Sequence, residues 1–201
     1  MLSNLNRRDL MVTAAAAAAM ISLPRDASAL TTDQARALID KLVGEINAII
    51  GSGQSEDAMV KRFERVFDKY ADVNFIALST LGPAARTTDK AVLASYVAAF
   101  RGYISRKYGK RFREFIGGRI EVTSARQVKS YSEVVSVAYL KGQAPFEVRW
   151  QVGDKSGRNL FFNLIIEGVN MLSAERAEIG AMLDKRRGDV AALARDLTTA
   201  G

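Results

Sequence analysis

Residues 159–172 read "NLFFNLIIEGVNML", and Asn163 is the single polar residue in the run from Leu160 to Ile166. A strand built from this run is apolar on both faces, whereas a half-exposed antiparallel strand alternates polar with apolar residues. Such a strand needs cover on both sides. Either protein packs on each face, or something other than protein fills one of them.

The composition excludes several classes of catalytic site. The chain has 201 residues, 48% of them hydrophobic, and contains no Cys and no His. Zinc sites with nitrogen and sulfur ligands, nucleophile systems that use histidine, and imidazole acid–base chemistry are therefore excluded. No Gly-rich phosphate loop follows a strand-like run, and Glu167 is the one carboxylate in an apolar stretch. A single acid does not make a mechanism, so the residues support neither catalysis nor a cofactor.

The N-terminal 29 residues have the pattern of a cleaved export signal. The pair Arg7-Arg8 precedes an apolar run from Leu10 to Leu23, and the small residues Ala27-Ser28-Ala29 follow it. The apolar run is short for a transmembrane helix. The stretch "NRRDLMV" resembles the twin-arginine motif, and an ordinary secretory signal with two chance arginines is the alternative. We therefore predict a signal in residues 1–29, cleaved near Ala29.

The remaining chain, residues 30–201, is predicted to form a single domain with a basic surface. Removing residues 1–29 takes away three Arg and two Asp, so the formal charge falls from +7 to +6. In an exported protein this charge favours anionic membrane surfaces or acidic partners over nucleic acid.

The hydrophobic periodicity predicts helices first, then strands, then helices. After Gly117 the period changes from helical to strand-like, and the connections between the strands are too short for parallel crossovers. We expect an α+β fold in which a curled four-stranded antiparallel sheet packs against a helical layer and encloses a concave space. The predicted helices cover 33–50, 59–70, 73–82, 89–113, 174–186 and 189–197, and the predicted strands cover 119–128, 132–142, 145–154 and 159–168.

Several weak motifs in a fixed order carry a family resemblance over residues 33–198. The chain resembles the MlaC/toluene-tolerance family of periplasmic phospholipid carriers. It departs from the family pattern at Asn159 and Asn163, where a Trp and an Asp are usual, and near Ala85, where a Trp often precedes the Arg. The motifs are "FERVFDKYADVNFIALSTLG" (63–82), "YVAAFRGYISRKYGKRF" (96–112), "RIEVTSARQV" (119–128), "IIEGVNML" (165–172), "ERAEIGAML" (175–183) and "GDVAALARDL" (188–197).

The resemblance implies a fold similar to the nuclear-transport-factor-like cone, with an apolar lipid cavity and no catalysis. It implies a periplasmic carrier that moves phospholipid between an outer-membrane lipoprotein-porin complex and an inner-membrane ABC transporter with its substrate-binding hexamer, which maintains outer-membrane lipid asymmetry. Acyl chains would then cover the second face of the strand at 160–166. Two alternatives remain open: an enzyme on the same cone-shaped fold that acts on a small apolar substrate, and a periplasmic structural adaptor without catalysis.

Alternation and helical spacing predict which residues line such a cavity. Glu147 and Arg149 mark the wet face of the third strand, so its other face should line the cavity. In the last strand Phe161 is an alternative to Phe162. The basic residues Arg106, Lys107 and Lys110 are candidates for contact with phosphate at the mouth. The predicted lining is Phe75, Tyr96, Phe100, Tyr103, Val135, Val137, Tyr139, Phe146, Val148, Trp150 and Phe162.

Overall fold

The computed structural model of the protein describes residues 30–109 and 112–201, so the predicted export signal and Lys110 lie outside the described residues. Within that part of the chain the fold is α+β, as predicted, and no helix combines the length and apolarity needed to span a membrane. The elements are α1 (Thr32–Ile50), α2 (Glu56–Tyr70), α3 (Val73–Leu81), α4 (Ala84–Thr87), α5 (Lys90–Gly109), α6 (Phe112–Phe115), β1 (Arg119–Val128), β2 (Tyr131–Tyr139), β3 (Phe146–Gly153), β4 (Leu160–Ile166), β5 (Val169–Asn170), α7 (Met171–Lys185) and α8 (Val190–Leu197).

Side-chain caps fix where several helices begin. Thr31 and Gln34 form a reciprocal capping box at the start of α1, which satisfies two backbone N–H groups that a helix start leaves free. A single acceptor side chain starts each of three further helices: Asp72 for α3, Asn170 for α7 and Asp189 for α8. The helix predicted over 89–113 corresponds to α5, and α6 follows after residues 110 and 111, which lie outside the described residues.

The sheet is open and antiparallel, with its strands in chain order from β1 to β5. The predicted count of four strands is wrong because of β5, whose two residues pair with Ile165 and Ile166. Glu167 and Gly168 connect β4 to β5, and both have positive φ, at 50° and 81°. Two consecutive residues with positive φ make the tight hairpin turn that matches strand twist, and glycine adopts this conformation at little cost.

One face of the sheet packs against α1 and the other helices. It carries Val148, Trp150 and Val152, and we call it the inner face. Helix α1 also protects the sheet edge, because the Asn47 amide bonds both the N–H and the C=O of Ile120 in β1, each at 2.9 Å. These bonds satisfy backbone groups that an edge strand otherwise exposes for aggregation.

A β-bulge in β4 decides where its aromatic residues point. Val152 of β3 pairs with Phe161 and the neighbouring Gln151 pairs with Asn163, so Phe162 is an extra residue without a partner on β3. Beyond the bulge Leu164 pairs with Trp150. Phe161 and Leu164 therefore both belong to the inner face, although they are three residues apart.

Candidate functional site

A cavity of about 370 Å³ lies between the inner face of the sheet and the helices. This volume is within the usual range for small-molecule sites, roughly 300 to 1,000 Å³. Its wall is predominantly apolar and aromatic, and most of the fold contributes to it. The apolar and aromatic residues of the wall include Leu42 and Ile46 of α1, Phe63 and Phe67 of α2, Ile76 of α3, Ile104 and Tyr108 of α5, Val148 and Trp150 of β3, and Phe161 and Leu164 of β4.

Aromatic contacts fix the floor of the cavity. The ring of Phe161 packs edge-on against Trp150 at 5.5 Å between centroids and against Phe67 at 5.9 Å. The indole N–H of Trp150 donates a 2.8 Å hydrogen bond to the hydroxyl of buried Ser136 on β2. The one polar atom of the Trp150 side chain therefore has a partner, and the rest of the ring is free to form apolar wall.

Three polar residues of the wall are exposed, and two others, Asn163 and Glu175, are buried. Glu114, Gln143 and Glu167 all line the cavity and are exposed to solvent, so the cavity opens there, and we call this end the mouth. Among the described residues, no Lys or Arg lines the cavity.

One carboxylate of the wall is buried and fully engaged. Glu175 of α7 is 4% exposed and accepts hydrogen bonds from Lys107, at 2.7 Å, and from Tyr108. Lys107 also lies 2.6 Å from Glu178, which in turn accepts a 2.7 Å bond from Tyr103. This cluster joins α5 to α7 at the cavity wall, which Tyr108 and Glu175 both line.

The cluster shifts the pKa values of its members. Burial, reinforced by the nearby carboxylates, raises the pKa of Tyr103 and of Tyr108, so both stay protonated as donors. The bond from Lys107 lowers the pKa of Glu178. Burial alone favours neutral Lys107, but its bonds to Glu175 and Glu178 outweigh burial and raise the pKa of the ammonium. The cluster therefore holds one ammonium between two carboxylates, that of buried Glu175 and that of exposed Glu178.

The structure brings part of the predicted lining together at the cavity. Phe146, Val148, Trp150 and Phe162 all border it, and so does Phe161. The ring of Phe162 packs away from the floor, against Phe75 and Tyr131, so Phe161 is the residue of this pair that forms the floor. Lipid contact at these positions stays a prediction.

The predicted face of β2 is wrong. Val135 pairs with Arg149 and Val137 pairs with Glu147, so these two valines share the outer face with charged residues, as does Tyr139. The inner face of β2 instead carries Ser132, Val134, Ser136 and Ala138, all buried. Alternation predicted the wrong face because valines occupy both faces of β2 and two serines lie on its inner face.

The predicted helical lining is also wrong. Tyr96, Phe100 and Tyr103 are buried where α5 packs against the neighbouring helices, and none of them borders the cavity. Tyr96, for example, shares a 2.7 Å hydrogen bond with Thr80 of α3. Phe75 is 41% exposed and lies outside the cavity. Helix α5 buries a broad surface, and Ile104 and Tyr108 are its residues that border the cavity. From the helical period alone, these two residues are indistinguishable from ordinary core residues.

Two of the basic residues proposed for phosphate contact have other partners. Lys107 is bound to Glu175 and Glu178, and Arg106 donates to the backbone carbonyls of Leu197, the last residue of α8, and of Ala200. The expectation of phosphate contact at these two positions is therefore not supported.

The amide of Asn163 performs a task that a carboxylate cannot. Its Nδ2 donates to Gln151 and to Asn170, each at 3.1 Å, and its Oδ1 accepts from the Leu172 backbone N–H at 3.0 Å. Asn163 thus ties β4 to β3 and to the first turn of α7. This position requires a side chain that both donates and accepts hydrogen bonds, and an ionised aspartate only accepts them.

Comparisons with known proteins agree with this architecture. A family model described as MlaC protein matches residues 36–199. The fold is similar to the solved structure of a phospholipid-binding protein from Ralstonia solanacearum in complex with a phospholipid. The TM-score is 0.69 and the sequence identity 15%, over 81% of this chain and 94% of that one. At this identity the structural likeness shows the fold alone.

Proposed function

The chain belongs to the MlaC family, and from that membership and the apolar cavity we propose that it is a phospholipid carrier that holds acyl chains inside the fold. The cavity is the observation that carries the proposal: about 370 Å³ of space with a predominantly apolar wall and with Glu114, Gln143 and Glu167 exposed at its mouth. The solved relative in complex with a phospholipid supports it. We include in the proposal the cone-like relation to the nuclear-transport-factor fold.

The free energy of burying hydrocarbon is sufficient for such binding. Each buried methylene contributes about 0.8 kcal/mol, so one acyl chain of ordinary length contributes roughly 10 kcal/mol before the costs of binding. The acyl chain would also cover the sides of Phe161 and Leu164 that face the cavity. It would therefore provide the cover that β4, which is apolar on both faces, needs on its inner face.

The phospholipid headgroup would remain at the mouth, in contact with water. The described wall offers no cation to a phosphate inside the cavity, and Lys107 is already paired with Glu175 and Glu178. The hydrophobic effect is not directional, so selection by headgroup is not required for tight binding.

We further propose that the protein works in the periplasm after removal of residues 1–29. There it would move lipid between an outer-membrane lipoprotein-porin complex and an inner-membrane ABC transporter with its substrate-binding hexamer, and so maintain outer-membrane lipid asymmetry. If export follows the twin-arginine route, replacing both Arg7 and Arg8 with Lys should block processing, because that route reads the arginine pair.

A transfer assay distinguishes the carrier from the two alternatives. Donor vesicles carry a fluorescent phosphatidylcholine and a quencher that does not exchange, and acceptor vesicles carry neither. A carrier increases the transfer rate in proportion to its concentration and returns the lipid chemically unchanged. A structural adaptor leaves the rate at the level without protein, and an enzyme alters the lipid in the recovered vesicles.

A further inference from the structure

A second, smaller pocket of about 230 Å³ lies on the outer face of the sheet, the face opposite the inner one. Tyr131 of β2, Gly153 of β3 and Leu160 of β4 line it, and the strand register places all three on that face. The sheet therefore separates this pocket from the main cavity. Small-molecule sites usually measure roughly 300 to 1,000 Å³, so the second pocket suits a ligand of few atoms.

Three aromatic rings form one wall of the second pocket. The ring of Phe162 lies 5.4 Å from that of Phe75 and 5.7 Å from that of Tyr131, and both contacts are edge-on. Phe75 is 41% exposed, so part of this wall is open to solvent. The negative faces of aromatic rings attract cations, and walls of this kind recognise quaternary ammonium groups.

Two opposite charges line the same pocket without pairing with each other. The backbone N–H of Asp72 donates a 2.8 Å bond to the carbonyl of Phe161, which holds Asp72 at the edge of β4. Its Oδ1 caps α3 by accepting from the Phe75 N–H at 3.1 Å. Among the described residues, neither the Oδ2 of Asp72 nor the exposed ammonium of Lys155 has an ion-pair partner. The hydroxyl of exposed Ser130 adds a hydrogen-bond donor to the pocket.

We propose that the second pocket binds a zwitterionic group in which an ammonium is joined to a phosphate, such as phosphocholine. The ammonium lies against the aromatic wall and the carboxylate of Asp72, and the phosphate accepts hydrogen bonds from Lys155 and Ser130. A ligand with one charge meets a like charge in the same pocket, whereas a zwitterion complements both. This site is independent of the proposed carrier function, because the sheet lies between it and the main cavity.

An NMR titration of the purified protein tests the class of ligand. Phosphocholine, choline and inorganic phosphate are titrated separately, and binding is measured from the line widths of the choline methyl protons and of the phosphorus signals. We expect phosphocholine to bind about fivefold more tightly than choline or phosphate, since an exposed ion pair contributes up to about fivefold. Asp72→Asn should weaken the binding of phosphocholine and of choline by about fivefold. Lys155→Gln should weaken the binding of phosphocholine but not that of choline.

Asp189→Asn and Lys141→Gln are the matched controls. Asp189 caps α8 as Asp72 caps α3, and asparagine caps a helix as well as aspartate does, so both cap variants should fold, as judged by circular dichroism. Lys141 is an exposed lysine beyond the other end of β2. Both controls should bind phosphocholine with wild-type affinity. Wild-type affinity in Asp72→Asn and Lys155→Gln, or an equal loss in the controls, would overturn the inference.

Vesicles of phosphatidylcholine distinguish the two sources of this group. Protein that sediments with the vesicles and is released by soluble phosphocholine recognises the group as a lipid headgroup in a bilayer, and Asp72→Asn should then sediment less. Protein that binds soluble phosphocholine without sedimenting recognises the free molecule. Wild-type protein that binds no phosphocholine in either form would overturn the inference. That result would leave the proposed carrier function standing, because the transfer assay measures it separately.

Discussion

The indole N–H of Trp150 and the hydroxyl oxygen of Ser136 form a 2.8 Å hydrogen bond between β3 and β2, and both residues are buried on the inner face of the sheet. The hydroxyl of Ser136 also lies 3.3 Å from the carbonyl oxygen of Val148, to which it donates. A polar residue thus occupies the inner face because it orients the largest side chain of the cavity wall.

Ser136→Ala should destabilise the fold, because it leaves the buried indole N–H of Trp150 without a partner. An unsatisfied buried donor costs about 1 to 3 kcal/mol. The loss is measured as the free energy of unfolding in urea, followed by circular dichroism. Ser95→Ala, at an exposed serine of α5, is the control and should change that free energy by less than about 0.5 kcal/mol. Equal stability of the two variants would contradict the role given to Ser136.

The same pair of residues shows which parts of the site the sequence predicts and which it does not. In β3, Glu147 and Arg149 alternate with Val148 and Trp150, so one face is unambiguous, and the structure places that face at the cavity. In β2 the valines lie on both faces. The inward position of Ser136 depends on a hydrogen bond to another strand, which no local pattern records.

The last strand and the longest helix show two further limits of local patterns. The bulge at Phe162 breaks the period of two in β4, and its position depends on the pairing with β3. On α5, Tyr103 and Ile104 are equally apolar in the pattern, yet Ile104 borders the cavity and Tyr103 packs in the helical core. Periodicity identifies a buried side chain but not whether protein or empty space covers it.

Trp150 should report lipid binding by fluorescence, because it lines the cavity and is the only tryptophan in the chain. Phosphatidylcholine with bromine atoms on its acyl chains should quench the emission when it is loaded into the protein. The same lipid without bromine is the control and should leave the emission intact. Equal emission with the two lipids would show that acyl chains do not reach Trp150.

Val148→Asp and Val134→Asp should have different effects, although both valines are buried on the inner face. Val148 borders the cavity, so water can enter the emptied space and solvate the new carboxylate; the variant should fold but lose lipid. Val134 does not border the cavity, so its carboxylate is buried without a partner, which costs several kcal/mol and should unfold the domain. Thermal melting and bound lipid are measured for both. Unfolding of both variants would indicate solid core at Val148, and a folded Val148→Asp that keeps lipid would remove it from the lining.

The pH dependence of stability should contain a component from Glu178. Its pKa is lowered in the folded state, chiefly by its bond to Lys107, so its contribution is present above about pH 4.3, the ordinary pKa of a glutamate. As pH falls through the lower, folded-state pKa, the contribution is lost. Glu178→Gln should therefore reduce the slope of unfolding free energy against pH below about 4.3, measured by urea titration at several pH values. Lys107→Met should remove the same component. An unchanged slope in Glu178→Gln would contradict the assignment.

Phospholipid binding is tested most directly by mass spectrometry of the organic extract of the protein purified without detergent. We propose that the cavity of about 370 Å³ holds the acyl chains of a phospholipid. We expect intact phospholipid in near-stoichiometric amount from the wild-type protein, and little from folded Val148→Asp purified in the same way. Wild-type protein that is folded and yields no phospholipid would contradict the account.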